Sequence, residues 1–271
     1  MIIRYEHSLH STGTFIRNVG RLSMSLNNSN TPLSGNSYLI VGASSEIALS
    51  LINMIIKKDP HSKLYLFARN TEKLHTQIKK TGETPEIYIV SFNILTQKIP
   101  VNPEWSITYA LIFPGMIPGT ADENADSLIV NFSGIIEMTE IIVEMYQSTL
   151  KNILITTSTA GIRVRKSNYI YGSAKAGLIG YCSGLRHRLY PGIHVTTLIP
   201  GLIQTKMIEH LKFPKILVTS PDNYAKKIYA AIPRKKNFVY SSLQWKLTGL
   251  ILRNIPERLL LKIGFQIKNK D

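Results

Sequence analysis

With 271 residues, 44% of them hydrophobic, the chain can bury a sizeable core as one large domain or two small ones. Its 32 Lys and Arg against 17 Asp and Glu give a formal charge of +15, which favours an anionic partner. No zinc-finger spacing or other nucleic-acid motif appears, so nucleic acid ranks behind a phosphorylated substrate or an acidic membrane surface. The single cysteine, Cys182, excludes an intrachain disulfide framework and is expected as a small buried hydrophobe, and the seven histidines form no metal-binding pairing.

Residues 1–36 are rich in Ser, Asn and Thr and carry almost no acid. They are expected as a partly disordered N-terminal extension, in which Phe15, Val19, Leu22 and Leu26 could line one helical face beside Arg17 and Arg21. From Tyr38 the pattern becomes regular. The run "YLIV" predicts a strand, followed by a helix through Ile56. "KLYLF" (63–67) predicts a second strand, with a polar helix over 70–80 after it, and "EIYIV" (86–90) and "TYALIF" (108–113) predict the third and fourth. A long apolar-striped helix over 125–149 leads to "NILITT" (152–157), a helix over 169–189 and "HVTTLI" (194–199). Continuously apolar strands alternating with helices predict an α/β fold, a doubly wound parallel sheet of Rossmann type covered on both faces. It is expected as one domain over 37–240, with a separate segment over 241–271. Ligands of such a sheet sit beyond the carboxyl ends of the strands. No run reaches about 18 uninterrupted apolar residues, so no membrane span is expected.

The first strand turns into its helix at Gly42-Ala43-Ser44-Ser45-Glu46-Ile47-Ala48. A glycine there permits a tight turn, and the helix N-terminus offers free N–H groups and partial positive charge to a pyrophosphate. Gly42, Ser44, Ser45, Glu46 and Ile47 are therefore the expected cradle, although Ser45 would serve equally as a plain N-cap and Glu46 could repel a phosphate. At the end of the second strand, Arg69 stands where an NAD site usually carries a carboxylate. A guanidinium there can take a 2′-phosphate bidentately, which favours NADP over NAD.

Tyr171 and Lys175 stand four apart in "NYIYGSAKAGLIGY", on one helical face. Ser158 follows the fifth strand, Asn131 lies in the long helix, and "PGLIQT" (200–205) follows the sixth strand, so all can converge in one cleft. The pair could be a proton donor and the cation that tunes it, since an ammonium beside a phenol lowers a pKa otherwise near 10. Ser158 suits an oxygen on which charge develops.

With Asn131, Ser158, Tyr171 and Lys175 in this order and spacing, residues 37–210 resemble the short-chain dehydrogenase/reductase family. The resemblance implies that Tyr171 donates the proton, that Lys175 also holds the nicotinamide ribose, and that Asn131 holds a water linking Lys175 to solvent. It further implies that Pro200, Gly201, Ile203 and Thr205 lie at the nicotinamide, with Ile203 and Thr205 at its carboxamide. Gly115 falls where the family has the glycine after strand four, and Asn93 where it often has an Asp near the adenine. Glu46 and Ala48 replace the usual second and third glycines of the phosphate turn, and Phe113-Pro114-Gly115 replaces Asn-Ala-Gly. "GASSEIA" and "STAGIRVRKSNYIYGSAKAGL" are similar to the decaprenylphosphoryl ketopentose reductases, which implies a polyprenyl-phosphate-linked keto sugar as substrate. Family members also often pair through the helices that correspond to 125–149 and 169–189, which implies a homo-oligomer.

In the C-terminal segment, Leu243, Leu247, Leu250 and Ile251 recur at helical spacing, and Pro256 interrupts the helix before Leu259, Leu260 and Ile263. Lys246, Arg253, Arg258, Lys262 and Lys268 interleave, and Trp245 is of an interfacial type. This pattern fits a helix on the anionic inner face of a membrane, or one docked on the domain or on a second subunit. The expectation is an NADP-preferring cytoplasmic keto reductase with peripheral membrane contact. The alternatives are a soluble reductase of small ketones or acyl thioesters, and a non-catalytic dinucleotide-binding protein.

Overall fold

Every strand of the main sheet runs parallel to its neighbours, so each link between them is a crossover. The computed structural model describes residues 3–5, 35–78, 85–209 and 214–263. In chain order the elements are β1 (Ile3–Tyr5), β2 (Ser37–Val41), α1 (Glu46–Lys58), β3 (Lys63–Ala68), α2 (Thr71–Gln77), β4 (Glu86–Ser91), β5 (Tyr109–Ile112), α3 (Asn124–Leu128), α4 (Gly134–Tyr146) and β6 (Asn152–Thr156). They continue with α5 (Tyr169–Leu189), β7 (His194–Ile199), β8 (Leu202–Ile203), β9 (Val218–Thr219), α6 (Pro221–Ala231), β10 (Phe238–Tyr240), α7 (Leu243–Asn254) and α8 (Glu257–Ile263). The sheet order is β1-β4-β3-β2-β5-β6-β7-β10, and β8 pairs separately with β9.

The expected α/β fold and its six strands are therefore present. Three differences have local causes. Ile3–Tyr5, near the start of the N-terminal extension, pairs in parallel with Ile87–Ile89 at the sheet edge, a pairing the sequence does not announce. The helical face expected over Phe15–Leu26 lies outside the described residues. Phe238–Tyr240 adds a strand on β7 that three residues behind a basic turn do not announce. The helix expected over 125–149 is interrupted by a π-helical turn at Ile129–Ser133, and Gly134 fits behind it because a Cβ there would lie 2.8 Å from Ile94 Cγ1.

Alternating side chains send each central strand into two cores. Tyr38 and Ile40 of β2 pack with Leu51, Ile52 and Ile55 of α1 and Tyr224 and Ile228 of α6. Leu39 and Val41 pack with Ile135, Met138 and Ile142 of α4 and Leu178, Cys182 and Leu185 of α5. Cys182 is fully buried, and burial pushes its thiol up to about 12, so it serves as the small hydrophobe expected. The chain order reverses between β2 and β5, which opens a crevice at their carboxyl ends.

Candidate active site

Gly42 leaves β2 with φ +73°, a conformation that favours glycine. A Cβ there would also stand 3.0 Å from the Pro114 nitrogen, so the turn and the end of β5 approach closely only because residue 42 has no side chain. The Gly42 and Ala43 amides both donate to the Phe67 carbonyl, which ties this turn to the end of β3. Ser45 is the N-cap of α1, its Oγ accepting from the Ala48 amide at 3.2 Å. The first-turn amides that follow have no partner one helical turn earlier. Glu46 does not face this opening alone: its carboxylate accepts the Lys206 amide, with Oε1 at 3.1 Å and Oε2 at 3.2 Å. The acid expected to trouble a phosphate instead joins the first turn to the loop after β7.

Arg69 is exposed at the end of β3, and among the described residues no ion pair engages it. Asn93 follows β4 and turns its Oδ1 back onto the Leu95 amide at 3.1 Å. Gly115 lies beside Asn131, where an added Cβ would meet Asn131 Oδ1 at an ordinary 3.7 Å.

The four residues singled out by their spacing come together, through unequal contacts. Ser158 is buried at the N-cap of a short 3₁₀ turn, where its Oγ accepts the Ala160 amide at 3.1 Å, and it stands near enough to the Tyr171 phenol to favour the phenolate. Lys175 Nζ lies 5.8 Å from the centre of the Tyr171 ring and donates to the carbonyls of Thr156 at 3.2 Å and Pro114 at 3.5 Å. Asn131, in the π turn, grips Met116 on both sides: its Nδ2 donates to the Met116 carbonyl at 2.6 Å and its Oδ1 accepts the Met116 amide at 3.2 Å. Nδ2 also donates to the Ser127 carbonyl at 2.8 Å. Asn131 therefore meets Lys175 only through the segment 114–116.

Burial acts on both ionisable groups of the pair. It holds the Tyr171 phenol above its ordinary value, and the nearby Ser158 side chain offsets this in part. The same burial pushes Lys175 down to about 7, because its neighbours are neutral carbonyls and no carboxylate. Burial thus works against the positive charge that the sequence reading gives Lys175. The sign follows from linkage. The unfolded lysine keeps a pKa near 10.4, so between about pH 7 and pH 10 the unfolded chain binds more protons and stability rises with pH. The slope from one proton is at most about 1.4 kcal/mol per pH unit. Lys175→Met is expected to lose this component, and denaturant titrations of both proteins at pH 6, 7.5 and 9 (about these values) measure it.

Around the cluster, Pro200 accepts the Thr159 amide at 2.9 Å, Gly201 donates to Ser241 Oγ at 3.0 Å, Ile203 is buried in β8, and Thr205 Oγ1 donates to the Ile203 carbonyl at 3.2 Å. Tyr181 donates to Glu140 on α4 at 2.8 Å and is a packing residue, whereas Tyr169 is exposed. Three contributors escape sequence reasoning. Gly161 lets the Ser158 turn touch the backbone of Lys175, where a Cβ would come within 2.6 Å; a glycine three places after the serine is its only signal. The carbonyls of Pro114 and Thr156 have none. Trp245, expected at a lipid interface, faces inward: its Nε1 donates to the Leu217 carbonyl at 2.8 Å, and its indole covers Gly201, where a Cβ would lie 2.1 Å from the ring.

The model of the family described as short chain dehydrogenase matches residues 114–214, the stretch that holds Asn131, Ser158, Tyr171, Lys175 and the loop after β7. Over these residues the chain is similar to the short chain dehydrogenases. An uncharacterized oxidoreductase of Mycobacterium tuberculosis is 36% identical over 108 residues, 39% of this chain and 42% of that protein. One from Staphylococcus haemolyticus is 25% identical over 217 residues, 74% of this chain and 93% of its own. The chain spans less than half the length of the Mycobacterium relative. A short chain dehydrogenase from Burkholderia cenocepacia, solved in complex with NADP, superposes with a TM-score of 0.71 at 17% identity over 87% of this chain and 100% of that chain, which establishes the shared fold.

Proposed function

We propose that the protein is a short-chain dehydrogenase that prefers NADP and reduces a keto group. The observation that carries the reading is the buried pair Ser158–Tyr171 with Lys175 one helical turn away, at the carboxyl edge of a doubly wound sheet. The residues present fit a dinucleotide: the crevice opens at Gly42, α1 presents its N-terminus there, and Arg69 is exposed at the end of β3. When bound, the nicotinamide supplies hydride. The protein supplies the proton. Ser158 orients the substrate oxygen, the Tyr171 O–H bond breaks as that oxygen is protonated, and a protonated Lys175 stabilises the phenolate left behind. Both amide hydrogens of Asn131 are engaged by backbone and Ser127, so in this reading it fixes the 114–116 segment whose Pro114 carbonyl holds Lys175.

The substrate in this reading is a polyprenyl-phosphate-linked keto sugar. Its support is the likeness of "GASSEIA" and the Ser158–Leu178 stretch to ketopentose reductases. Arg165 adds to it: half-buried in the stretch between Ser158 and Tyr171, it has a buried Nε with no hydrogen-bond partner among the described residues and suits a phosphate. A cytoplasmic enzyme working at the membrane surface, and pairing of copies through α4 and α5, belong to the same reading. Titration with NADPH, then turnover on a polyprenyl-phosphate ketopentose and on simple ketones, tests it. NADPH binding with no turnover of any ketone leaves the non-catalytic alternative.

Cofactor choice has its own test. Arg69→Ala is expected to weaken NADP binding by about one to two decades, the worth of a charge-assisted bidentate contact, and to leave NAD binding nearly unchanged. Equal losses in a fluorescence titration would remove Arg69 from the 2′-phosphate site.

A further inference from the structure

The two faces of α7 are in opposite situations. Its inner face is anchored beside the site: Trp245 covers Gly201, and Gly249 presses on the loop that follows Ser158, where a Cβ would lie 2.7 Å from Ile162 Cδ1. Arg163 of the same loop donates to the Ile255 carbonyl at 3.3 Å and pairs with Glu257, so the α7–α8 junction is fastened there too. The outer face is apolar and open. Leu243 is 66% exposed, Leu247 52%, Leu250 63% and Ile251 62%, and Leu259 and Leu261 of α8 are exposed as well. Positions 243, 247, 250 and 251 fall on one helical stripe.

We propose that this stripe docks on an anionic lipid surface and so places the substrate cleft against the bilayer. Charge selects this occupant over a second copy of the chain. Residues 243–271 contain six Lys and Arg against two acids, Glu257 and Asp271, and Glu257 is already paired with Arg163. Exposed Lys246, Arg253 and Arg258 flank the leucines. Two such faces would repel each other, whereas acidic headgroups complement the cations as acyl chains take the leucines. Among the described residues no helix is long and apolar enough to cross a membrane, so the contact is peripheral. The inference rests on the proposed reductase site for its consequence, but the docking itself does not.

The test is flotation of the full-length protein with vesicles of phosphatidylcholine alone and of phosphatidylcholine with phosphatidylglycerol. Wild-type protein is expected to float only with the acidic vesicles, and less as salt is raised through the range where the Debye length falls below about 10 Å. Leu247→Glu and Leu250→Glu are each expected to lower the partition coefficient by about tenfold or more, since each removes one buried leucine. NADPH binding and turnover of a water-soluble ketone by the two variants are expected to stay within about twofold of wild type, because neither residue touches the site. Failure of wild-type protein to float with acidic vesicles overturns the proposal, whether or not it reduces a ketone. Loss of self-association in the variants without vesicle binding by the wild type assigns the face to a second copy instead.

Discussion

Tyr171→Phe is expected to lower ketone reduction by about two to four orders of magnitude, the usual contribution of a positioned general acid, while NADPH binding stays near wild type. The substitution removes one oxygen and keeps the ring that fills the space between Ser158 and Lys175, so the helix has no reason to move. Lys175→Met is expected to differ by damaging both quantities, since its ammonium is assigned to the phenolate and to the nucleotide. Single-turnover measurements with saturating NADPH separate these effects. A Tyr171→Phe protein that reduces ketones at the wild-type rate would sink the assignment of the proton donor.

Gly161→Ala is the larger structural perturbation. The added methyl would meet the backbone carbon of Lys175 at 2.6 Å and the Ala176 nitrogen at 2.7 Å, and backbone cannot rotate away as a side-chain tip can. Overpacking of this kind costs about 1–3 kcal/mol, or roughly 2–4 °C of Tm for each kcal/mol in a domain of this size. Because the turn carries Ser158 and the helix carries Tyr171, relief of the clash separates the two. A displacement of about 1 Å at such a site can cost about a hundredfold in rate. Thermal unfolding and turnover together measure it. A variant that melts and turns over like wild type would show that the turn has more room than the structure gives it.

Six sheet strands were legible because each is a short apolar run bounded by turns, and burial on both faces demands that composition. Phe238–Tyr240 was not, since three residues carry no period and become a strand only because β7 offers an unpaired edge. The apolar stripe over 125–149 is continuous in sequence, and nothing in it distinguishes an α turn from the π turn that carries Asn131. The nearness of Tyr171 to Lys175 follows from their spacing of four on one helix. What holds the four residues was not legible: the Pro114 and Thr156 carbonyls and the two bonds to Met116 are backbone contacts, and every residue type has the same backbone groups. Trp245 was placed on the wrong side of its helix because amphipathic composition says that two faces exist and not which one is docked.

The carboxylate of Glu46 has a consequence for how a dinucleotide would be received. By holding the Lys206 amide it spans the crevice from the helix that would meet the phosphates to the loop proposed for the nicotinamide. A loop left loose would have to surrender its conformational freedom when ligand arrives, and that loss would subtract from affinity. Here part of the ordering is already complete, and both banks of the slot keep a common distance before anything enters. An acid that fits the phosphate turn poorly by charge therefore acts as an entropic spacer, setting the width to which the ligand must conform.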